Sequence, residues 1–209
     1  MQRQNGRKML VFWKARLVLL AVPKTGSTAL EAAFLPWADA SFLNPPRLKH
    51  MTVRRYRRQL ARVFEQDGRP MELMAIMREP VDWLSSWYRY RSRAALAGQP
   101  QSTAGMEFEA FVEAWLSDDP PEFARIGRQS RFLSEEDGTP GVDHLFRHDR
   151  IDRAVAYLGE RLGAAPDLGR LNVSPERPVA TLSDAAADDL RRRAAEDFAM
   201  WDRLCETPE

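Results

Sequence analysis

The sequence predicts an α/β fold in which a central parallel sheet is flanked by helices. Three observations predict it. Two short apolar runs, LVLLAV at 17–22 and MELMAIM at 71–77, have the composition of strands buried on both faces. Each run passes almost directly into a helix-compatible segment. Further segments with helical periodicity follow, and strands alternating with helices call for crossover connections and a parallel sheet. At 209 residues, 44% hydrophobic and 29% charged, the chain has the size and balance of a globular protein with a real core. The expected organisation is a loose polar tail at 1–8 and a single α/β domain over 9–209.

In chain order, 9–13 is expected to pack or pair beside the strand at 17–22. Pro23 ends that strand, Gly26, Ser27 and Thr28 turn the chain, and 29–35 begins a helix. Pro45 and Pro46 mark a loop, and 47–50 is read as a short strand edge. Thr52 is placed to cap a helix to about Gln66, with Val53, Tyr56, Leu60, Val63 and Phe64 inward. Its other face carries Arg54, Arg55, Arg57, Arg58 and Arg62. A solvated face is the preferred explanation, with membrane headgroups or an anionic substrate as the alternatives.

The strand at 71–77 is followed by Arg78-Glu79-Pro80, where proline suits the first position of a helix from 81 to about 97. Trp83, Trp87 and Tyr90 share one face of it. A loop at 98–105, a helix at 107–116 and a loop around 138–141 lead to a late strand at 142–147. A helix at 151–162 is stopped by Gly163, and 166–178 reads as irregular. Ser183 caps a final helix from 185 to about 204, with Leu190, Ala194, Phe198, Trp201 and Leu204 inward.

Net charge is only +1, so bulk charge gives no reason to expect a nucleic-acid partner. Lysine supplies only residues 8, 14, 24 and 49 of the 31 basic residues, and arginine the rest. Cys205 is the only cysteine, which excludes a disulfide framework and a thiolate zinc site. No apolar run approaches membrane-spanning length and no signal-peptide pattern is evident, so a cytoplasmic location is expected. Peripheral membrane contact and oligomeric state stay open.

The chemistry concentrates in the PKTGST segment, residues 23–28. A strand, a tight turn and a helix in that order direct the helix's first amides at one point. Unpaired donors and the helix dipole together favour an anion there. Lys24 adds a full positive charge, and Ser27 and Thr28 add hydroxyls that can also cap the helix. The ATPase loop GxxxxGK[ST] does not fit, because the lysine precedes the glycine and the earlier glycine is absent. The alternative is an ordinary strand–turn–helix whose hydroxyls only cap.

A second such place follows in REPVDWLSSWY, residues 78–88. An arginine ends a buried strand and Ser86 lies eight residues on, at the same expected sheet edge. Two anion sites at neighbouring strand ends suit a ligand with two separated charged groups.

PKTGST followed by REPVDWLSSWY resembles the two signature segments of the sulfotransferases that use 3′-phosphoadenylyl sulfate (PAPS). RLKHMT, RQSRFLSEEDG, DHLFRHDRIDRAVAYLGERLG, RLNVS and AAEDFAMWDRL extend the resemblance to the carbohydrate-type and bacterial members, over most of the chain from about residue 17. The resemblance implies a P-loop-like three-layer fold and sulfuryl transfer from PAPS to a hydroxyl or amine acceptor. The acceptor would be a small molecule, a carbohydrate or a lipid-type molecule, and no metal is expected.

By the same resemblance, residues 23–28 (Pro23, Lys24, Thr25, Gly26, Ser27 and Thr28) bind the 5′-phosphosulfate. Lys24 would touch the bridging and sulfuryl oxygens, and Arg78 and Ser86 would hold the 3′-phosphate. Glu79 stands where the family often has Asp. Asn172, Ser174 and Arg177 are weaker candidates for nucleotide contact.

An acceptor hydroxyl must lose a proton as it attacks, which calls for a base near neutral pKa. His50 is the first candidate, with Glu31 competing, and His144 and His148 look less central. Acceptor selection is expected in 98–106 and 118–141, as loops on a rigid scaffold usually carry specificity. Two rival classes stay open: a P-loop kinase or NTPase, for which Asp149 would be the late Mg²⁺ ligand, and a non-catalytic nucleotide- or anionic-lipid-binding module.

Overall fold

A computed structural model describes residues 9–166 and 180–206. The elements in chain order are β1 (Met9–Phe12), β2 (Leu17–Leu19), α1 (Ser27–Phe34), β3 (Ala40–Phe42), α2 (Pro46–Lys49), α3 (Val53–Gln59), α4 (Ala61–Phe64) and β4 (Glu72–Met77). There follow α5 (Pro80–Arg91), α6 (Phe108–Leu116), α7 (Gln129–Leu133), β5 (His144–Arg147), α8 (Ile151–Leu162), α9 (Asp184–Arg193) and α10 (Ala195–Glu206). The packing divides into two compact units, 9–77 with 129–166 and 78–128 with 180–206 among the described residues.

The first unit is an α/β layer built on a five-stranded sheet of order β3-β1-β2-β4-β5. The three strands β2, β4 and β5 are parallel, as alternation with helices predicts. The sheet as a whole is mixed, because β1 pairs antiparallel with both β2 and β3. The cause is local. Residues 13–16 form a tight turn between β1 and β2, closed by the Arg16 amide on the Trp13 carbonyl at 3.1 Å, and so short a link permits only an antiparallel pair. Arg16 adopts a left-handed φ of 55° there, and its guanidinium pairs with Asp67 at 3.2 Å.

All four residues of β1 and all three of β2 are buried, so both sheet faces are covered. One face brings Leu10, Leu19, Met74 and Ile76 against Leu30 and Phe34 of α1 and Leu158 of α8. Each fully buried side chain of this kind contributes about 1.5–3 kcal/mol. Three local expectations are corrected. Residues 47–50 are not a strand edge: residues 47–49 belong to the helical turn α2, and His50 lies in the turn that follows it. The helix capped by the Thr52 hydroxyl, which accepts from the Arg55 amide, breaks at Leu60 into α3 and α4. After that break Val63 is 55% exposed rather than inward.

The arginine face of α3 is largely structural. Arg54 Nε donates to the Glu135 carbonyl at 2.9 Å, Arg57 pairs with the Glu135 carboxylate at 3.1 Å, and Arg55 donates to the Arg47 carbonyl at 3.2 Å.

The second unit is helical, with α5, α6, α9 and α10 around Trp83, Leu84, Phe111, Trp115, Leu190 and Phe198. The helix expected to reach residue 97 ends at Arg91, and the final helix is two, broken at Ala194. The Ser183 hydroxyl caps α9 by accepting from the Ala186 amide at 3.3 Å. Among the described residues no helix is long and apolar enough to cross a membrane. The expected tail at 1–8 lies outside the described residues, as do Asn172, Ser174 and Arg177.

Candidate functional site

Parallel pairing of β2, β4 and β5 gives the first unit one carboxyl edge, from which the chain leaves β2 at Leu19 and β5 at Arg147. Leu20 extends the ladder, its amide donating to the Met74 carbonyl at 2.8 Å, and Ala21 and Val22 stay buried. Residues 23–28 then make the turn that opens α1. Lys24 has φ 69° and Gly26 has φ 74°, so two residues of the segment lie in the left-handed region. That conformation costs a non-glycine residue about 1–2 kcal/mol, and Lys24 carries this cost at the position the sequence singles out for its charge.

The Thr25 side chain is fully buried and its hydroxyl donates to the Val22 carbonyl at 2.9 Å, which pins the turn from inside. Gly26 is the N-cap of α1, with no side-chain hydrogen bond capping the helix. The expectation that Ser27 or Thr28 caps it is therefore corrected: both are helical residues, one and two positions past the cap. The Ala29 amide donates to the Gly26 carbonyl at 3.1 Å, and the amides of Ser27 and Thr28 come too early for an intrahelical acceptor. These donors, the helix dipole and Lys24 belong to one short segment, as an anion cradle requires.

His50 follows the α2 turn and precedes the fully buried Met51 and the α3 cap at Thr52. Its Nδ1 lies 2.8 Å from the Ala21 carbonyl oxygen. A carbonyl only accepts, so Nδ1 carries the proton in the neutral ring and Nε2 is the basic nitrogen. The first unit thus ties the His50 imidazole to the segment that leads into the Lys24 turn. Glu31, the competing candidate, is 3% exposed, one turn into α1.

His148 is more closely placed than the sequence suggests. It is the first residue after β5, and a Cβ built on Gly26 would meet its Cδ2 and Nε2 at 3.1 Å. Glycine at 26 therefore serves both the positive φ and the approach of this ring. The available signal was register: a parallel strand ending at Arg147 delivers its next residue to the edge where the 23–28 loop begins. His144 sits at the other end of β5, bonded through Nε2 to Glu72 at 2.8 Å.

Arg78 and Ser86 belong to the second unit. Glu79 is the N-cap of α5, its carboxylate accepting from the Asp82 amide at 2.7 Å, with Pro80 in the first turn. Burial pushes the Glu79 carboxyl above its ordinary pKa. The Arg78 guanidinium pairs with Asp82 through Nε, and through Nη2 at 2.9 Å. Arg89 approaches the same carboxylate at 3.9 Å and donates to the Ser85 hydroxyl. Ser85 is fully buried, whereas Ser86 is half-buried. Asp82, Ser85, Ser86 and Arg89 fall at i, i+3, i+4 and i+7, one face of α5, and that spacing was open to view in the sequence.

Asp149 is bound by Arg147 through two contacts, at 3.0 and 2.6 Å, which hold its carboxyl below its ordinary pKa. Among the described residues no three His, Cys, Asp or Glu side chains gather into a metal-ligand group. Comparison with protein-family models, with curated proteins and with solved structures finds no match for this chain.

Proposed function

We propose that the chain is a PAPS-dependent sulfotransferase with a P-loop-like fold. It would move a sulfuryl group from 3′-phosphoadenylyl sulfate to a hydroxyl or amine of a carbohydrate or lipid-type acceptor. One observation carries the proposal: the strand-to-helix turn at 23–28 joins Lys24 to the amides that open α1, and His50 is bonded to Ala21 just upstream.

In this account Pro23 and Thr25 shape the loop, while Lys24 and the amides of Gly26, Ser27 and Thr28 hold the 5′-phosphosulfate. Arg78 and Ser86 take the 3′-phosphate. The donor supplies a sulfuryl group on a phosphate that leaves readily as an anion. The acceptor oxygen bonds to sulfur as the bond from sulfur to the bridging phosphate oxygen breaks, and that electron pair leaves with the phosphate. Sulfuryl transfer, like phosphoryl transfer, needs in-line positioning and charge stabilisation more than covalent help. Lys24 and the loop amides meet the charge on the leaving oxygen. Nε2 of His50 accepts the acceptor's proton. Asp149, the ligand a Mg²⁺-dependent kinase would need, is held by Arg147.

The test is incubation with radiolabelled PAPS and a panel of glycans, glycolipids, aminolipids and small alcohols. Wild-type protein is expected to label one of these classes. His50→Ala should keep its nucleotide affinity and lose roughly a hundred- to ten-thousand-fold in rate, the usual contribution of a general base. Full-rate turnover by that variant removes His50 from the mechanism. Metal-dependent ATP turnover with no sulfuryl transfer overturns the assignment.

A further inference from the structure

The 3′-phosphate role proposed for Arg78 leaves unexplained a carboxylate lying directly on that guanidinium. Asp82 is one helical turn into α5, and its oxygens receive Arg78 through two nitrogens, Nε and Nη2. Two-point pairing fixes the plane of the guanidinium as well as its position, because the five N–H groups of arginine form a rigid fork. The same carboxylate draws in Arg89 at 3.9 Å. Arg89 is also held by the Ser85 hydroxyl, which accepts from the Ala180 amide at 3.1 Å. Asp82 itself is held by its backbone, through the 2.7 Å bond from its amide to Glu79. The chain of support runs from the helix cap to the carboxylate and from there to two guanidiniums that would otherwise repel.

We propose that Asp82 is the positioning residue of the 3′-phosphate site, a counter-ion that orients Arg78 and holds Arg89 beside it. The proposal rests on the sulfotransferase reading and extends it to two residues that reading does not use. It makes a prediction of unusual sign. Simple electrostatics says that deleting a negative charge beside a phosphate strengthens phosphate binding. If Asp82 organises the two arginines, its deletion weakens binding, because the ordering must then be supplied by the ligand.

The experiment is calorimetric titration of wild type, Asp82→Asn and Asp82→Glu with 3′-phosphoadenosine 5′-phosphate and with adenosine 5′-phosphate, which lacks the 3′ group. Thermal melts run in parallel to show that each variant is folded. The expected result is a wild-type preference for the bisphosphate. Asp82→Asn should cut bisphosphate affinity tenfold or more while leaving the monophosphate unchanged, and Asp82→Glu should restore part of the loss. A wild-type preference with bisphosphate affinity kept or raised in Asp82→Asn overturns the positioning role alone. Equal wild-type affinity for the two nucleotides defeats the parent reading, and this one with it. Should Asp82→Asn fail to fold, Asp82→Glu decides: its longer side chain shifts the fork, so an unchanged bisphosphate affinity also counts against the role.

Discussion

Lys24 puts a long side chain where the backbone favours glycine, at φ 69°. A purely structural turn would gain by losing it. Lys24→Gly is accordingly expected to be about 1 kcal/mol more stable than Lys24→Ala, since alanine keeps the left-handed strain and glycine relieves it. Both variants should bind nucleotide more weakly than wild type. Urea midpoints and titration calorimetry check the pair, and equal stabilities would show that the turn stores no strain. The charge and the turn were legible in the sequence, because PKTGST names them directly. The strain was not, since left-handed φ at a lysine has no local signature. The rank of the histidines was half legible. His50 could be placed by its position between the loop and the second strand, but its bond to Ala21 needs the fold. His148 was undervalued because its closeness to Gly26 depends on strand register.

At the level of elements, helix starts could be read better than helix continuity. Thr52, Pro80 and Ser183 mark starts through groups that act within one turn, and all three do so in the structure. The breaks at Leu60 and Ala194 fall within apolar stripes without glycine or proline, so nothing local announces them. Residues 47–50 show the converse, a segment read as a strand edge whose first three residues instead continue the helical turn that begins at Pro46.

One side-chain cluster ties three elements of the first unit together. Glu72 on β4 accepts from Arg161 of α8 at 2.7 Å and lies 2.8 Å from His144 Nε2 on β5. Burial pushes the Glu72 carboxyl up, but the bonds from His144 and Arg161 outweigh it and hold the group below its ordinary value of 4.5. A carboxyl lowered on folding stabilises the fold above its unfolded pKa, and that contribution is lost as pH falls through the folded value. Glu72→Gln should therefore flatten the acid limb of stability, seen as a shallower fall in urea midpoint below about pH 4.5. Parallel profiles for the variant and wild type would show that the cluster does not stabilise the fold.

For the whole chain, the α/β class and the parallel trio β2, β4 and β5 followed from two apolar runs and a late strand. The pairing of 9–13 beside 17–22 was expected, but the antiparallel sense of β1 and the strand β3 were not, because strands of four and three residues carry little periodicity of their own. Nor did the helical second unit separate in the sequence, since its amphipathic helices resemble those that cover a sheet. The functional account depends on one ligand property, a nucleotide bearing phosphates at both its 5′ and 3′ positions and needing no metal.

Titration calorimetry with 3′-phosphoadenosine 5′-phosphate and with ATP, each with and without Mg²⁺, measures that property most directly. The account predicts that the bisphosphate binds regardless of metal, more tightly than ATP, and that Lys24→Ala and Arg78→Ala each weaken it. Mg²⁺-dependent ATP binding tighter than that of the bisphosphate, or bisphosphate affinity indifferent to both substitutions, would contradict it.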